Sequence, residues 1–515
     1  MKMSSPRSLG SALLLVCAAW LAPAMNASAQ TPAAQTPPAE IVALIEQGRQ
    51  ALVADKYADA SSLFEQALTE NGFAGLPREL QYFTFLLASY AAAGTNDNLS
   101  AHEFVAVATG FPDAEGDTWM HRAETAAAID NWGDAGLALT AVAKKWPKEL
   151  KNTEYHNWLV NRATRELGKP QLRTQRLDLL NALFAAKYKF RYDTEPSHLW
   201  MLLAADALER KDLAHAREVA RRITNSSVLV AMRIDRTYDR LTAGDPSIFD
   251  VQTAAERELK HAKKAMDENP ELLNAVVNYG YALHTLGRFE EMLKLSDDII
   301  ARVEKPLEKK PPYSDLDDSL NWIHNHKATA LRALGRWDEA AAVLAEWERS
   351  DRNREDKVSQ AINLGFFYNE LARPEEALKA VDSLDWSRGM SGYGRTQCQF
   401  VRFQAYHQLG NADKVEEIVA WMRQNQKDSM QTVQDTLLEA GDVDGAAALL
   451  ISRLKDAEER AEALAEIQLY AETPRTERQK KLAELKESLL ARTDVAAGIA
   501  EFGRREKFPI YSLEY

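Results

Sequence analysis

The fold is decided by the stretch Leu334-Gly335-Arg336-Trp337-Asp338-Glu339-Ala340, because similar stretches recur along the chain. Each copy has a turn residue and then an aromatic residue or proline that opens a helix, and each lies between two segments with helical periodicity. Recurrence every few tens of residues indicates stacked helical hairpins, which usually form binding surfaces rather than reaction centres. The other clear copies are Leu286-Gly287-Arg288-Phe289-Glu290-Glu291, Ala372-Arg373-Pro374-Glu375-Glu376-Ala377 and Ala54-Asp55-Lys56-Tyr57-Ala58-Asp59-Ala60.

The first 29 residues have the features of a cleavable secretory signal. Lys2 and Arg7 provide a positive start, a short apolar run follows, and Ala27-Ser28-Ala29 offers small residues for cleavage after Ala29. The alternative is a lipid-anchored protein modified at Cys17, which the bulky preceding residue disfavours. We therefore predict a periplasmic or secreted protein without a transmembrane span after cleavage, which begins with a flexible Pro/Ala-rich linker over residues 30–40.

Net charge limits the classes of partner that the protein can bind, and cysteine content limits its covalent cross-links. Removal of Lys2 and Arg7 with the signal lowers the formal net charge from −13 to −15, which argues against nucleic acid or an anionic membrane as the main partner. The mature chain keeps one cysteine, Cys398, so it has no internal disulfide. Its place in an apolar helical pattern predicts a buried core residue, with a reactive or intermolecular thiol as the alternative.

Residues 41–472 read as a continuous series of about eleven amphipathic hairpins. In the first hairpin, small residues at Gly48 and Ala60 allow two antiparallel helices to approach closely while Tyr57 and Phe64 fill the space beside them.

Residues 473–515 form a separate C-terminal region. A highly charged helix over 475–492 is predicted to cap the array, since a terminal repeat needs a polar outer face. The apolar and aromatic stretch Lys507-Phe508-Pro509-Ile510-Tyr511 is expected to fold back on the last hairpin, and the alternative is a docking tail.

Large, small and aromatic residues follow one another at a spacing that resembles the tetratricopeptide repeat (TPR). The resemblance covers most of residues 41–455 and implies an all-α fold, a right-handed α-solenoid of antiparallel helical hairpins that is irregular because several units are longer than the family's. The best copy consists of Trp119, Ala123, Ala126, Trp132, Ala135, Leu139, Val142 and Pro147. Looser copies consist of Val276, Gly280, Leu283, Phe289, Met292 and Ile299, and of Ala361, Gly365, Tyr368, Pro374, Ala377, Val381 and Leu384.

The common catalytic and metal-binding motifs are missing from the sequence, so we expect no catalytic residue, no metal and no cofactor. His324 and His326 are two residues apart on a helix, do not face each other and are interpreted as surface residues. Lys305 to Ser319 reads as a Pro- and charge-rich loop, and its Asp315, Asp317 and Asp318 are interpreted as solvated acids because the spacing is wrong for a calcium site. Gly389, Gly392 and Gly394 are interpreted as a loop between hairpins, with phosphate binding as a weakly supported alternative.

In the family that this chain resembles, the first helices of successive hairpins line a concave groove that holds a peptide or a partner's helix. Amide, aromatic and imidazole side chains at the matching positions can hydrogen-bond a backbone and pack on apolar groups, although several of them can instead support neighbouring helices. Arg332 alone suits a carboxylate-gripping groove, which argues against recognition of a free C-terminus. The matching residues are Asn278, Tyr281, His284, Asn325, Thr329, Arg332, Asn363, Phe366, Asn369, Gln404 and His407.

The resemblance implies a non-catalytic scaffold or adaptor for protein partners in the bacterial periplasm or cell envelope. The alternative is an accessory or regulatory subunit of an envelope enzyme, polysaccharide or export machine. An enzyme with an unusual site in the groove is disfavoured by the missing motifs.

Overall fold

A computed structural model describes residues 39–151, 153–304, 312–349, 357–382, 384 and 390–512. The predicted secretory signal, Cys17 and most of the predicted linker lie outside the described residues. The first described helix begins at Ala39, inside the stretch assigned to the linker. The chain falls into two compact units, unit 1 up to Leu203 and unit 2 from Ala204 onward.

The described residues contain α-helices, short 3-10 helices and isolated β-bridges but no β-strand, so the prediction of an all-α fold is confirmed. Unit 1 contains α1 (Ala39–Val53), α2 (Tyr57–Thr69), α3 (Arg78–Gly94), α4 (Asn98–Ala108), α5 (Gly116–Ala128), α6 (Trp132–Lys145), α7 (Glu154–Glu166) and α8 (Arg173–Ala185), and the unit boundary lies within α9 (Ser197–Glu209). Unit 2 continues with α10 (Leu213–Ala220), α11 (Ser226–Ile234), α12 (Asp239–Thr242), α13 (Val251–Glu268), α14 (Leu273–Thr285), α15 (Phe289–Glu304), α16 (Leu316–Ala333), α17 (Trp337–Arg349), α18 (Lys357–Glu370), α19 (Pro374–Asp382), α20 (Gly392–Gln408), α21 (Ala412–Gln424), α22 (Met430–Glu439), α23 (Val443–Lys455), α24 (Arg460–Glu466), α25 (Glu477–Leu490) and α26 (Thr493–Phe502).

A residue with positive φ ends the first helix of hairpin after hairpin. At Gly335, where φ is +75°, the N–H donates to the carbonyl oxygen of Arg332 (2.9 Å), and the next N–H, of Arg336, donates to that of Leu331 (2.8 Å). This left-handed cap satisfies carbonyl groups that the helix end leaves unpaired. The recurring stretches of the sequence therefore mark one repeated turn. The same conformation, two residues before the second helix, occurs at Asp55, Asn96, Asp130, Lys211, Gly287, Gly335, Ala372, Gly410 and Gly441.

Except at Lys56 in the first hairpin, the residue after the positive-φ position starts the second helix in one of two ways. An Asp or Asn side chain accepts the N–H three residues on, or an arginine pairs with a glutamate three residues on, in the first helical turn. The caps are Asp97, Asn131, Asp212, Asn411 and Asp442. The arginines are Arg288, Arg336 and Arg373.

Small residues set the spacing inside the hairpins, as the sequence predicts. A Cβ atom at Gly48 would lie only 2.9 Å from the ring of Phe64, so the bare backbone is what lets α1 approach α2. Ala60 and Phe64 are fully buried there. Cys398 is likewise fully buried, and burial raises the pKa of its thiol to about 11. The interpretation of Cys398 as a core residue is therefore confirmed.

The C-terminal segment (Gly503–Ser512) lies against α24 and the residues after it. The N–H of Phe508 donates to the carbonyl oxygen of Leu469 (2.8 Å), and that of Ala471 donates to Ile510 (2.9 Å). Phe508 and Ile510 are 1% and 2% exposed, while Pro509 between them faces outward. This alternation buries one side of the segment and leaves the other in solvent.

The same segment also reaches helices early in unit 2, far from the last hairpin. Arg504 donates its N–H to the carbonyl oxygen of Ile234 (2.9 Å) and pairs with Asp239 through its side chain. The N–H of Tyr511 donates to the carbonyl oxygen of Thr285 (3.0 Å), and α11 packs directly on α24. Early and late helices of unit 2 are thus joined, and unit 2 closes on itself.

Two expectations about loops are wrong. Asp317 and Asp318 are exposed, as interpreted, but α16 begins at Leu316, so they lie in the first turn of a helix and not in a loop. The helix dipole favours carboxylates there. Asp315 is not a free acid, because it accepts the N–H of Leu273 (2.6 Å) at the start of α14.

The predicted glycine loop is also partly helical. Gly392 and Gly394 lie in the first turn of α20, which the hydroxyl of Ser391 caps by accepting the N–H of Gly394 (3.0 Å). A short side-chain cap replaces the expected loop there. Gly389 lies outside the described residues.

Substitution of the turn residue tests the repeated cap. Ala372 holds φ at +55° and is exposed, so Ala372→Gly should stabilise the protein by about 1 kcal/mol by relieving the left-handed conformation. Gly335→Ala should cost about the same amount, since a Cβ atom there has room (3.6 Å from Pro474) but the wrong φ. Urea unfolding of the three proteins measures both changes, and equal stability of all three would contradict the cap.

Removal of the Phe508 ring tests the closure of unit 2. Phe508→Ala should lower the free energy of unfolding by about 3–5 kcal/mol, because it empties a fully buried site. Lys507→Ala, at the exposed neighbouring position, should change it by less than about 0.5 kcal/mol. A small effect of Phe508→Ala in urea unfolding would show that the segment does not hold the unit together.

Candidate functional site

Helices α14, α16, α18, α20 and α22 are the first helices of successive hairpins in unit 2, and neighbours among them pack side by side. We call the surface they form the first-helix face. Every residue of the predicted groove lies on these helices. The local register read from the sequence therefore placed these residues on the intended elements.

Four aromatic side chains on this face form two contacting pairs, which we together call the aromatic row: Tyr281 with Trp322, and Phe366 with Phe400. The rings of Tyr281 and Trp322 lie 6.4 Å apart, and those of Phe366 and Phe400 meet edge to face at 5.8 Å. Trp322 is 41% exposed, and the other three are partly buried. Partly exposed aromatic residues give a large contact area at a low entropic cost, as binding hot spots require.

Several predicted groove residues support neighbouring helices instead of facing solvent. Asn369 is fully buried, donates to the carbonyl oxygen of Val401 (2.9 Å) and accepts from Gln408 (3.1 Å). Gln404 donates to Glu439 on α22 (2.9 Å). The buried members of the predicted set are His284, Asn325, Asn369 and Gln404. Partly buried are Tyr281, Thr329, Arg332, Asn363 and Phe366, and exposed are Asn278 and His407.

Two members of the aromatic row were missing from the sequence-based set. Trp322 lies three residues before Asn325, and Phe400 lies four residues before Gln404. Residues three or four apart share a helix face, so this spacing would have found both.

The interpretation of His324 and His326 as surface residues is wrong. His324 stacks on Trp347 at 4.1 Å, and His326 is 2% exposed and packs edge to face on Tyr281 at 4.6 Å. Burial lowers the pKa of His324 and of His284 to about 4 and that of His326 to about 3. These imidazoles are therefore neutral packing elements beneath the face at physiological pH.

Part of the first-helix face is covered by the chain itself. The carboxylate of Glu439 on α22 pairs with Arg478 of α25 (2.5 Å). Burial raises the pKa of Glu370 on α18, and the nearby Arg332, Gln479 and Arg478 partly offset that rise. We call α25 (Glu477–Leu490) the cover helix. It is the charged helix that the sequence predicts, and it contacts α18 as well as the last hairpin. The aromatic row is built from other residues of the face.

Unit 1 contains a serine, histidine and glutamate in a line, but their geometry does not suit a nucleophile. The Oγ atom of Ser89 lies 2.8 Å from Nε2 of His121, and Nδ1 of His121 is 4.0 Å from Glu124. Ser89 is fully buried and donates its hydroxyl proton to the carbonyl oxygen of Ala101 (2.6 Å). His121 must then donate to Ser89, which is opposite to the role of a general base.

Neither metal clusters nor membrane helices emerge from the described parts of the chain. No group of three or more His, Cys, Asp or Glu residues there has the geometry to hold a metal ion. No helix in those parts is both long and apolar enough to cross a bilayer.

The chain was compared with known protein families, curated proteins and solved structures. Neither a protein-family model nor a curated protein matches the chain. Among solved structures, the TPR domain of P58(IPK) is 12% identical, with 81% of this chain and 99% of that chain covered and a TM-score of 0.20. Yeast Tom70 is 14% identical, with 90% and 99% covered and a TM-score of 0.22. Cut9 in the APC/C hetero-tetramer Cut9–Hcn1 is 14% identical, with 90% and 96% covered and a TM-score of 0.26. Identities of 12–14% and TM-scores of 0.20–0.26 carry no conclusion about function.

The buried histidines predict a loss of stability in acid. Their folded-state pKa values lie below the unfolded value of 6.5, so the unfolded chain takes up protons that the native state refuses as the pH falls below about 6.5. The free energy of unfolding should therefore decrease between pH 7 and pH 5, by about 2 kcal/mol for His326 alone. His326→Leu should remove that part of the decrease in urea unfolding, whereas His407→Leu, at an exposed position, should not. An unchanged decrease in His326→Leu would contradict the assignment.

Proposed function

We propose that this protein is a non-catalytic scaffold that binds a partner protein on the first-helix face of unit 2. The observation that carries the proposal is the aromatic row, which presents four partly exposed rings on successive first helices. Partly exposed aromatic rings that cluster on a rigid support are typical of interaction surfaces, whereas isolated ones are common on any protein.

The dimensions of the row suit a peptide or a helix. Packed helices lie about 8–10 Å apart, so the three steps from α14 to α20 extend over roughly 30 Å. That length matches about twenty residues of α-helix or about nine residues of extended chain. Asn278 and Asn363 near the row offer amide groups for a partner's backbone.

We infer that the scaffold acts in the bacterial periplasm or cell envelope, on the strength of the secretory signal read from residues 1–29. The acidic net charge of −13 favours protein over nucleic acid as the partner. The alternative role, as an accessory or regulatory subunit of an envelope enzyme, polysaccharide or export machine, also uses the aromatic row, because flat rings stack on sugars as well as on side chains.

The row can be tested with a matched pair of variants. Trp322 in unit 2 and Trp158 in unit 1 are both tryptophans and are 41% and 40% exposed. Trp322→Ala should reduce capture of partners from intact envelopes by about tenfold or more, because hot-spot aromatics carry most of the binding energy. Trp158→Ala should leave capture unchanged. Quantitative mass spectrometry of the captured proteins measures the effect, and circular dichroism checks that both variants stay folded.

Two outcomes would decide against the row. Full capture by folded Trp322→Ala and by the folded double variant Asn363→Ala/Phe366→Ala would remove it as the binding surface. Loss of capture in Trp158→Ala alone would assign binding to unit 1. If the lost partners belong to a glycan or export pathway, the accessory-subunit role is favoured over the general scaffold.

A further inference from the structure

Ion pairs hold the cover helix to the first-helix face together with limited apolar burial, in which Leu482, Ala483 and Leu490 are partly buried. Leu489 is its one buried residue. Arg478 pairs with Glu439 (2.5 Å) and Lys486 pairs with Asp435 (3.7 Å), both on α22. The Lys486–Asp435 pair has an exposed lysine, so it contributes little net stability and weakens with salt. The Arg478–Glu439 pair is buried and provides most of the electrostatic attachment of the helix, so this one pair is the main charge contact that a competitor has to replace.

The chain on either side of the cover helix is attached much more firmly. Before it, Leu469 and Ala471 pair with the C-terminal segment through backbone hydrogen bonds. After it, Val495 and Ile499 of α26 are buried against the last hairpin. The cover helix therefore connects two firmly attached segments, residues 469–471 before it and α26 after it. It can leave the face while both segments stay in place and unit 2 stays closed.

Beneath the cover helix lies an acidic row of three carboxylates, Glu370, Asp435 and Glu439. The side chain of Glu439 is 6% exposed and also accepts from Gln404, and that of Asp435 is 18% exposed. Glu370 lies 3.8 Å from Arg332, and its Oε2 atom is buried without a hydrogen-bond partner among the described residues.

Departure of the cover helix would remove Arg478 and Lys486 from these carboxylates. A buried carboxylate without a compensating cation is strongly unfavourable, and Arg332 is the cation that would remain beside Glu370. Water can solvate the uncovered carboxylates in part, and a cationic group that takes the place of the lost ones restores the original pairing. A chain of net charge −13 adds no general positive field to help.

We propose that the cover helix is an internal ligand of the first-helix face, and that the partner carries a basic amphipathic helix which displaces it from the acidic row. This inference rests on the proposed scaffold function and names the partner class. The present occupant is a helix of 14 residues, about 21 Å long, whose two pairing cations are two turns apart at Arg478 and Lys486. A partner helix with cations at that spacing repeats its contacts.

The acidic row and the aromatic row belong to one continuous surface. Glu370 and Phe366 are four residues apart on α18, and α22, which carries Asp435 and Glu439, packs on α20, which carries Phe400. A helix that binds the acidic row with its basic side can therefore place apolar side chains on the aromatic row. Charge selects the partner, and the rings supply most of the affinity.

The test uses the full chain in three forms: wild type, the release variant Arg478→Ala/Lys486→Ala, and the control Lys480→Ala/Lys481→Ala. The control also removes two positive charges from the same helix, but at the exposed positions Lys480 and Lys481. Hydrogen exchange should accelerate at least about tenfold in residues 477–490 of the release variant alone, while residues 506–511 stay protected. The probe is a fluorescent peptide with the sequence of residues 477–490. It should bind the release variant about tenfold more tightly than the wild type or the control, and more weakly at high salt.

Neutralisation of the acidic row provides the decisive comparison. In the release variant, Asp435→Asn/Glu439→Gln should abolish peptide binding while the amides keep the local hydrogen bonds. Unchanged exchange of the cover helix in the release variant overturns the proposal, and so does peptide binding that survives neutralisation. These readouts need no natural partner. Partner capture that depends on Trp322, combined with an immobile cover helix, would keep the scaffold function and refute only this inference.

Discussion

The structure of unit 2 depends on the burial of Phe508 and Ile510 between its early and late helices. Each of these side chains contributes about 1.5–3 kcal/mol when it is fully removed from water. In an open array each repeat contacts only its neighbours. Here residues near position 234 touch residues near position 504, so the early and late helices of unit 2 are held together. That constraint also fixes both ends of the excursion that carries the cover helix.

The hairpins could be predicted from sequence because their signals are local. A left-handed residue marks each turn, and most turns add a side-chain cap or an Arg-Glu pair within a few positions. An aromatic residue or proline opens the second helix in five of these hairpins, at Tyr57, Trp132, Phe289, Trp337 and Pro374. Helical periodicity then fixes which residues share a face. Gly48 against Phe64 and the core position of Cys398 followed from such reasoning. The positions of the groove residues on the first helices followed in the same way.

What could not be predicted depends on contacts between distant parts of the chain. Asn369 looks like a groove residue in its own helix, and only the carbonyl group of Val401 on α20 shows that it ties two helices together. His326 appears polar and free in the sequence, yet Tyr281 and Gly280 on α14 enclose it. The C-terminal segment contacts residues more than two hundred positions earlier in the chain, for example Arg233 through Glu506. Helical periodicity in the sequence gives no information on such contacts.

The polar residues of the first-helix face thus serve two purposes that sequence alone does not separate. Those pointing between helices hold the array in register, and those at the rim remain available to a partner. Buried carboxylates add a third element, because burial raises the pKa of Glu439 and of Glu370 although cations lie nearby. The ionised form of such a buried carboxylate is stabilised when a neighbouring segment places a cation beside it.

Pro509 has a consequence for how the molecule behaves among its own copies. It lies on the outward side of the C-terminal segment, between two residues whose backbones pair with Leu469 and Ala471. Tyr511, two residues on, donates its N–H to Thr285, and Pro509 itself has no N–H to donate, so this side of the segment lacks a donor at Pro509 for a strand from another molecule. The contact that closes unit 2 is thus poorly suited to continue as strand pairing between molecules.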